Sequence, residues 1–163
     1  MIDNQQLRQA LGQFATGVTI VTTNTPQGEP VGVTVSSFNS VSLEPPLVLW
    51  SIAKSAYSCE AFEAASHFAV HVLGAEQQPL SDRFARSSSD KFAGIELQQG
   101  INRLPLLTDC AARFQCAVEY CYEGGDHLIF VGRVMKLDLA EQPADPLLFY
   151  RSRYARLAVP QPC

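Results

Sequence analysis

Hydroxyl groups and one ammonium group cluster in the run Ser51-Ile52-Ala53-Lys54-Ser55-Ala56-Tyr57-Ser58. A short apolar segment precedes this run and Ser55 is a suitable N-cap, so the sequence predicts a strand that leads into a helix. The first N–H groups of a helix lack internal partners and carry the positive end of its dipole, which suits a phosphate. The motif therefore indicates either a phosphate-binding site or an ordinary capped helix.

A second hydroxyl-rich run contains Thr34, Val35, Ser36 and Ser37. Successive side chains of a strand point to opposite faces, so this run places hydroxyl groups on both faces of a strand that should be half buried. The pattern predicts either a polar ligand against one face or a solvent-exposed edge strand.

His127 directly follows Gly124, Gly125 and Asp126, which are typical turn residues. A turn with two glycines allows a ligand to approach the backbone closely, and the aspartate can bind local amides. His127 is therefore interpreted either as a ligand contact or as a solvated turn histidine.

Motifs for several other chemistries are missing from the sequence. His67 and His71 lie four residues apart on an apolar segment, with no Cys, Asp or Glu at ligand spacing, so we interpret them as structural and expect no metal site. The sequence has no Gly-x-Ser-x-Gly elbow, no Gly-x-Gly-x-x-Gly triplet and no Gly-x-x-x-x-Gly-Lys phosphate loop. This disfavours hydrolysis and a Rossmann fold, and it is compatible with redox chemistry by a bound cofactor.

The composition is that of a folded, weakly acidic protein. The chain has 163 residues, of which 47% are hydrophobic and 17% charged, and this excludes intrinsic disorder. The net charge of −4 makes nucleic acid and anionic membranes poor partners. We find no targeting segment and no apolar run of membrane-spanning length, so we expect a cytoplasmic protein. The five cysteines form no Cys-x-x-Cys pair, which indicates free thiols.

The candidate residues must be positioned by short strands and a few helices. Asp3 is a plausible N-cap for a first helix, β-branched runs around a turn predict a hairpin at 18–23 and 31–38, and Ser55 is expected to begin a second helix. The clearest strand signal lies at 113–123, where alternation places Cys116 on the apolar face and Gln115 on the polar face. Further strands are expected at 47–51, 68–73 and 128–139. A third helix is expected at 77–86 and an amphiphilic tail at 146–157. No assignment is made for 87–109. This order predicts a single domain, residues 1–163, with a mainly β fold: an antiparallel barrel with peripheral helices at its rim.

Several short motifs, in their order and spacing, also resemble a known family. They are Phe14-Ala15-Thr16-Gly17-Val18-Thr19-Ile20-Val21-Thr22-Thr23, Gly32-Val33-Thr34-Val35-Ser36-Ser37-Phe38, Ser42-Leu43-Glu44-Pro45-Pro46-Leu47-Val48, Phe84-Ala85, Lys91-Phe92 and Gly125-Asp126-His127. Over residues 7–157 the chain resembles the flavin reductase-like family of split-barrel flavin-binding proteins, the small reductase components of two-component flavin-dependent monooxygenases.

The resemblance implies where the cofactors bind. The isoalloxazine ring of FMN or FAD would lie along Thr34, Val35, Ser36 and Ser37. The ribityl chain and phosphate would run over Ser51, Ile52, Ala53, Lys54, Ser55 and Ser58. Phe84 and Ala85 would approach the flavin, and Gly125, Asp126 and His127 would border the nicotinamide, with His127 as the catalytic residue.

The resemblance also implies the reaction and the partners. A hydride would pass from NADH or NADPH to the flavin, and the reduced flavin would supply an oxygenase component. The family is usually dimeric, and the tail around Tyr154 would contribute to the flavin site near the interface of a homodimer. The alternatives are a non-enzymatic flavin-binding dimer that stores or senses flavin, and an oxidase of a small vitamin-like amine, which is disfavoured because no arginine-rich phosphate cluster is present.

Overall fold

The computed structural model describes residues 1–142 and 144–158, and its centre is a seven-stranded antiparallel sheet. The strands are β1 (Thr16–Gly17), β2 (Thr19–Asn24), β3 (Pro30–Val35), β4 (Asn39–Ser42), β5 (Leu47–Ala53), β6 (His67–Val72), β7 (Leu97–Gln99), β8 (Pro105–Leu107), β9 (Ala112–Gly124), β10 (His127–Leu139), β11 (Leu148–Tyr150) and β12 (Arg153–Ala155). The α-helices are α1 (Asn4–Leu11), α2 (Cys59–Ala64) and α3 (Gln78–Phe84), and single 3₁₀ turns lie at Ala75–Gln77 and Ile101–Arg103.

The large sheet closes into a barrel. Its strand order is β3-β2-β6-β9-β10-β5-β4, so β3 and β5 are far apart in the sheet. Ser37, two residues beyond β3, nevertheless hydrogen-bonds to the backbone of Ser51 in β5. A side chain therefore bridges two strands that no backbone ladder joins, and the predicted antiparallel split barrel with peripheral helices is confirmed.

Aromatic side chains fill the barrel interior. Trp50 on β5 stacks on Phe130 of β10 at a centroid distance of 5.1 Å and meets Phe62 of α2 edge-on at 4.8 Å. All three are buried, and each such side chain contributes about 2–3 kcal/mol through burial. Cys116 lies in the same core, as the alternation of β9 predicts, and burial raises the pKa of its thiol to about 12.

The sequence predicts a polar face for β9, but one residue of that face, Gln115, is not exposed. Gln115 is buried because the β7-β8 hairpin covers the outer face of the barrel at this point. The amide oxygen of Gln115 accepts a hydrogen bond from the N–H of Ile101 at 2.8 Å, which ties the hairpin to β9. This hairpin lies within 87–109, the stretch for which the sequence gives no assignment.

The helices agree with the sequence in two cases and differ in one. Asp3 caps α1 through the N–H of Gln6, and α3 lies within the predicted third helix. The second helix begins at Cys59 rather than after Ser55, so the prediction of a cap at Ser55 is wrong. The reason is tertiary: the N–H of Lys54 donates to the carbonyl of Asp126 at 2.9 Å, which holds this segment against the β9-β10 turn.

The remaining segments complete the surface. The predicted tail forms β11 and β12, which join β1 in a small three-stranded sheet. Cys59, Cys110, Cys116 and Cys121 are free thiols, and Cys163 lies outside the described residues. No helix in the described part of the chain is long and apolar enough to cross a membrane.

Candidate functional site

The two hydroxyl-rich segments predicted from the sequence meet where the end of β3 approaches β5, and we call the seam between them the slit. β3 is the terminal strand of the sheet, and β4 pairs with β5 only between Leu47 and Leu49. The edge of β5 beyond Leu49 therefore faces the open edge of β3. The Ser37 hydroxyl donates to the Ser51 carbonyl at 2.8 Å and accepts from the Ser51 N–H at 2.9 Å. Ser36 is exposed beside this bridge.

Helix α3 lies across the open edge of β3, and two predicted site residues hold it there. The hydroxyl of Thr34 donates to the carbonyl of Ser81 at 2.7 Å. Tyr154 lies 2.8 Å from the Ser81 hydroxyl and donates to the Asp82 carboxylate at 2.9 Å. Burial raises the pKa of Tyr154. Val35 packs on the barrel core.

The ring of Phe84, a residue that the resemblance places near the flavin, is part of the core. Its ring is fully buried in a second core cluster with Ile20 and Leu73, directly under Gly32. A Cβ at Gly32 would lie 2.6 Å from that ring, which shows how closely α3 and β3 approach. The Phe84 ring therefore packs in the core, whereas Ala85, the next residue, is exposed. An approach of Phe84 and Ala85 to the flavin stays a prediction.

Lys54 does not present a free ammonium to a phosphate. Its Nζ lies 2.6 Å from the carboxylate of Glu123. Glu60 and Glu63 border the same cavity of about 380 Å³, so this region carries more acidic than basic groups. Ser55 is exposed and caps no helix. The structure thus lacks the predicted cap at Ser55, and phosphate binding by Lys54 and Ser55 stays a prediction.

His127 is placed by the β9-β10 hairpin at the end of the slit. It is the first residue of β10 rather than a turn residue, and it lies opposite Gly124 on one side and Ala53 of β5 on the other. Its Nδ1 is 2.7 Å from the carboxylate of Asp126, and this hydrogen bond lowers the pKa of Asp126. The side chain of His127 is 44% exposed, and Gly125 supplies the positive φ of +69° that the turn requires.

A cavity of about 480 Å³ lies where the β2-β3 turn, α2 and the segment before Phe92 meet. Its lining includes Val31, Gly32, Tyr57, Ser58, Lys91 and Phe92. The ammonium of Lys91 donates to the carbonyls of Gly32 and Phe84, at 3.0 Å in each case. Burial lowers the pKa of Lys91. The sequence signal for this site is the Lys91-Phe92 pair, which marks the family but does not by itself reveal a cavity.

His67 and His71 take the structural roles that the sequence predicts. His71 is fully buried, with Nδ1 at 3.0 Å from the Ile20 carbonyl and Nε2 accepting from the Leu107 N–H at 3.1 Å. Burial lowers the pKa of His71 to about 4. Among residues 1–142 and 144–158, no group of three or more His, Cys, Asp or Glu side chains could hold a metal ion.

Comparison with known proteins defines the family. Residues 11–158 match the model of the flavin reductase like domain. The chain therefore belongs to the flavin reductase-like family.

Named relatives and a solved structure point to one activity class. The chain is 44% identical over 156 residues to FMN reductase (NADH) SmoA of Agrobacterium fabrum, covering 96% of this chain and 87% of SmoA. It is 44% identical to HsaB, the reductase subunit of a flavin-dependent monooxygenase of Rhodococcus jostii, covering 94% of this chain and 77% of HsaB. The NADH:FAD oxidoreductase SgcE6 of Streptomyces globisporus, solved with NAD and FAD fragments, has a TM-score of 0.88 and 39% identity, over 97% of this chain and 96% of SgcE6. At the level of the family, the prediction of a nicotinamide-dependent flavin reductase with flavin and nicotinamide cofactors is confirmed.

Proposed function

We propose that this protein is an NAD(P)H:flavin oxidoreductase that reduces FMN or FAD and supplies the reduced flavin to a partner monooxygenase. The observation that carries this proposal is the slit bridged by Ser37 and Ser51, with His127 at its end. Membership of the flavin reductase-like family and the likeness to SmoA, HsaB and SgcE6 support it.

The residues around the slit fit a flavin. An isoalloxazine ring is flat and has a polar edge, and the open edge of a strand offers N–H and carbonyl groups to such an edge. Ser36 and the two bridging residues, Ser37 and Ser51, add hydroxyl and backbone groups there. When bound, flavin supplies the group that accepts a hydride from a reduced nicotinamide. We propose that 34–37 and 51–53 hold the ring and the ribityl chain, with Ala85 beside them.

His127 orients the nicotinamide in this proposal. Its half-exposed imidazole lies next to Ala53, the last residue of β5, at the end of the slit. Asp126 holds Nδ1, so Nε2 stays free to contact the donor nucleotide. The N–H of Lys54 donates to the carbonyl of Asp126, which fixes the Gly125-Asp126 turn relative to the flavin segment. Positioning of this kind lowers a barrier by holding the reacting rings in contact.

We also propose a homodimer. The outer face of β9 exposes the rings of Tyr120 and Tyr122, which stack at a centroid distance of 5.6 Å and are 48% and 52% exposed. They lie opposite Val131 and Ile129 of β10. Exposed aromatic side chains that lie side by side are typical of a protein–protein interface. Light scattering after size-exclusion chromatography measures the mass and tests this proposal.

The partner and the compartment follow from the proposed reaction. A reductase component supplies a separate oxygenase, as the name of HsaB indicates for that protein. Reduced nicotinamides are present in the cytoplasm, and the free thiols at Cys59, Cys110 and Cys121 suit a reducing environment. We therefore place this activity in the cytoplasm.

Anaerobic mixing tests the activity directly. The purified protein is mixed with FMN or FAD and then with NADH or NADPH, while the absorbance of oxidised flavin is followed. Rapid bleaching that depends on the protein supports the reductase. Flavin binding without bleaching by either donor indicates a flavin carrier instead, and the absence of flavin binding contradicts both functions.

A further inference from the structure

The hydroxyl of Tyr154 lies at a junction between helix α3 and the C-terminal hairpin formed by β11 and β12. The ring of Tyr154 meets that of Phe149 edge-on at a centroid distance of 5.7 Å, and both rings pack against the second core cluster. The hydroxyl lies 2.8 Å from the Ser81 hydroxyl and donates to the Asp82 carboxylate at 2.9 Å. The core therefore holds the ring, and the hydroxyl binds α3.

The donors and acceptors at this junction follow from the groups involved. A tyrosine hydroxyl has one hydrogen and a carboxylate can only accept, so the hydrogen of Tyr154 goes to Asp82. The Ser81 hydroxyl therefore donates to the oxygen of Tyr154. Ser81 is fully buried, and a buried hydroxyl that loses its partner costs free energy. The hydroxyl of Tyr154 thus fixes the buried side of α3.

The same turn of α3 is also bound to the strand proposed to hold the flavin. The carbonyl of Ser81 accepts a hydrogen bond from the Thr34 hydroxyl at 2.7 Å. Thr34 stands near the end of β3, just before Ser37, which makes the bridge to β5. Ser81 thus joins Tyr154 to Thr34, through its hydroxyl on one side and its carbonyl on the other.

The hairpin that carries Tyr154 is anchored to the rest of the chain. β11 pairs with β1. The N–H of Arg151 donates to the carbonyl of Gly12 at 3.0 Å, and the N–H of Leu147 donates to the carbonyl of Leu73 at 3.1 Å. An element fixed at both ends can hold a helix in one position relative to the barrel.

We propose that Tyr154 is a positioning residue for the flavin, which acts through Ser81 on Thr34 and not by a contact of its own with the ring. The proposal rests on the flavin reductase function, in which 34–37 hold the ring. The bond to Ser81 uses the hydrogen of the Thr34 hydroxyl, so Thr34 meets a ligand only as an acceptor. The direction of that acceptor depends on where α3 holds the Ser81 carbonyl, and Tyr154 sets the position of α3.

The first test removes the Tyr154 hydroxyl and keeps the packed ring. Tyr154→Phe is expected to weaken oxidised FMN about five-fold, the effect of one neutral hydrogen bond. Riboflavin, which lacks only the phosphate, is expected to lose the same factor. Binding is followed by quenching of Trp50, the single tryptophan. Tyr150→Phe is the matched control, because Tyr150 lies on the same hairpin and is exposed, with its hydroxyl 3.5 Å from Gln13.

A double-mutant cycle separates positioning from a general loss of structure. Thr34→Val removes the hydroxyl on the other side of Ser81 and is expected to weaken both flavins at least as much as Tyr154→Phe. If Tyr154 acts through Thr34, Tyr154→Phe costs less than about two-fold when Thr34→Val is already present. Two losses of about five-fold that multiply in the double variant show independent contributions and overturn the proposal.

Ser81→Ala tests the route between the two residues. It removes the hydroxyl that binds Tyr154 and keeps the carbonyl that binds Thr34, so its flavin affinity is expected to match that of Tyr154→Phe. Wild-type affinity in Ser81→Ala overturns the route. Circular dichroism establishes that each variant is folded, and Ser81→Ala decides if Tyr154→Phe is not.

Kinetics keep the remaining outcomes distinct. At saturating flavin, the Michaelis constant of Tyr154→Phe for NADH is expected to stay within about two-fold of wild type, because His127 belongs to the β9-β10 hairpin. A rise equal to the loss of flavin affinity indicates general loosening and contradicts positioning at Thr34. A loss confined to FMN assigns Tyr154 to the phosphate, which also overturns the proposal. Unchanged affinity for both flavins in Tyr154→Phe removes only the positioning role if wild type still reduces flavin, whereas a wild type that binds neither flavin contradicts the reductase function as well.

Discussion

The hydroxyl of Ser37 is hydrogen-bonded to both backbone groups of Ser51, at 2.8 Å to its carbonyl and 2.9 Å from its N–H. One side chain thus replaces a backbone ladder between the end of β3 and the open edge of β5. The proposed flavin slit lies beside this bridge. Ser37 therefore both closes the barrel and forms part of the proposed site.

Ser37→Ala is expected to destabilise the protein and to weaken flavin binding. The substitution leaves the N–H and carbonyl of Ser51 without their partner, which costs about 1–3 kcal/mol. Urea unfolding followed by Trp50 fluorescence measures the free energy of unfolding. Ser40→Ala is the control, since Ser40 is exposed and its hydroxyl makes no hydrogen bond within the described chain. Equal stability and flavin affinity in Ser37→Ala and wild type would show that the bridge is dispensable.

Gly32→Ala is expected to destabilise the contact between β3 and α3. The new Cβ would lie 2.6 Å and 2.8 Å from atoms of the buried Phe84 ring, which is too close for a carbon contact. Overpacking of this kind costs about 1–3 kcal/mol. Gly17→Ala is the matched control because a Cβ there meets no atom within 4 Å. Thermal unfolding compares the two, and a Gly32→Ala melting temperature equal to that of Gly17→Ala contradicts the close packing.

The strand pattern and the two hydroxyl-rich segments could be predicted from the sequence because they depend on local alternation and turn chemistry. The hairpin of β9 and β10, the core position of Cys116 and the Asp3 cap all follow from near neighbours in the chain. The hydrogen bonds between Ser37 and Ser51 were not predicted; the resemblance implied only that one flavin runs along both segments.

The features that the sequence does not predict depend on distant contacts. Ser55 has the residue type of a helix cap, yet the bond from the Lys54 N–H to Asp126 keeps this segment out of a helix. Gln115 is buried by a hairpin that carries little strand signal of its own. The buried ammonium of Lys91 is stabilised by the backbone carbonyls of Gly32 and Phe84. The residue types Gly and Phe do not indicate such a contact in the sequence.

Acid is expected to destabilise the protein through His71. Burial lowers its pKa to about 4, with a further contribution from the Arg113 guanidinium, whereas an unfolded histidine titrates near 6.5. The stability that neutral His71 provides is therefore complete above about pH 6.5 and is lost as the pH falls toward about 4, by up to about 3 kcal/mol.

Urea unfolding at several pH values measures this loss. His71→Gln removes the titrating group and is expected to show a shallower fall in the free energy of unfolding between about pH 6.5 and 4, although it is less stable at neutral pH. His67→Gln serves as the control, because His67 is only half buried. Identical pH profiles for wild type and His71→Gln would assign acid sensitivity to other groups.

His127→Ala is expected to impair use of the nicotinamide while leaving flavin binding intact. The imidazole lies at the end of the slit beside Ala53, and Asp126 holds its Nδ1 at 2.7 Å. Losing a contact to the donor should lower kcat/KM for NADH about ten-fold, which corresponds to about 1.4 kcal/mol of transition-state stabilisation. Asp126→Asn keeps the size of the side chain but removes its charge, so a smaller loss is expected from poorer orientation of the imidazole.

Stopped-flow reduction of bound flavin at several NADH concentrations measures both variants, with His67→Ala as the control. A reduction rate and donor affinity equal to those of wild type in His127→Ala would place the nicotinamide elsewhere, whereas an equal loss of flavin affinity would assign His127 to the flavin.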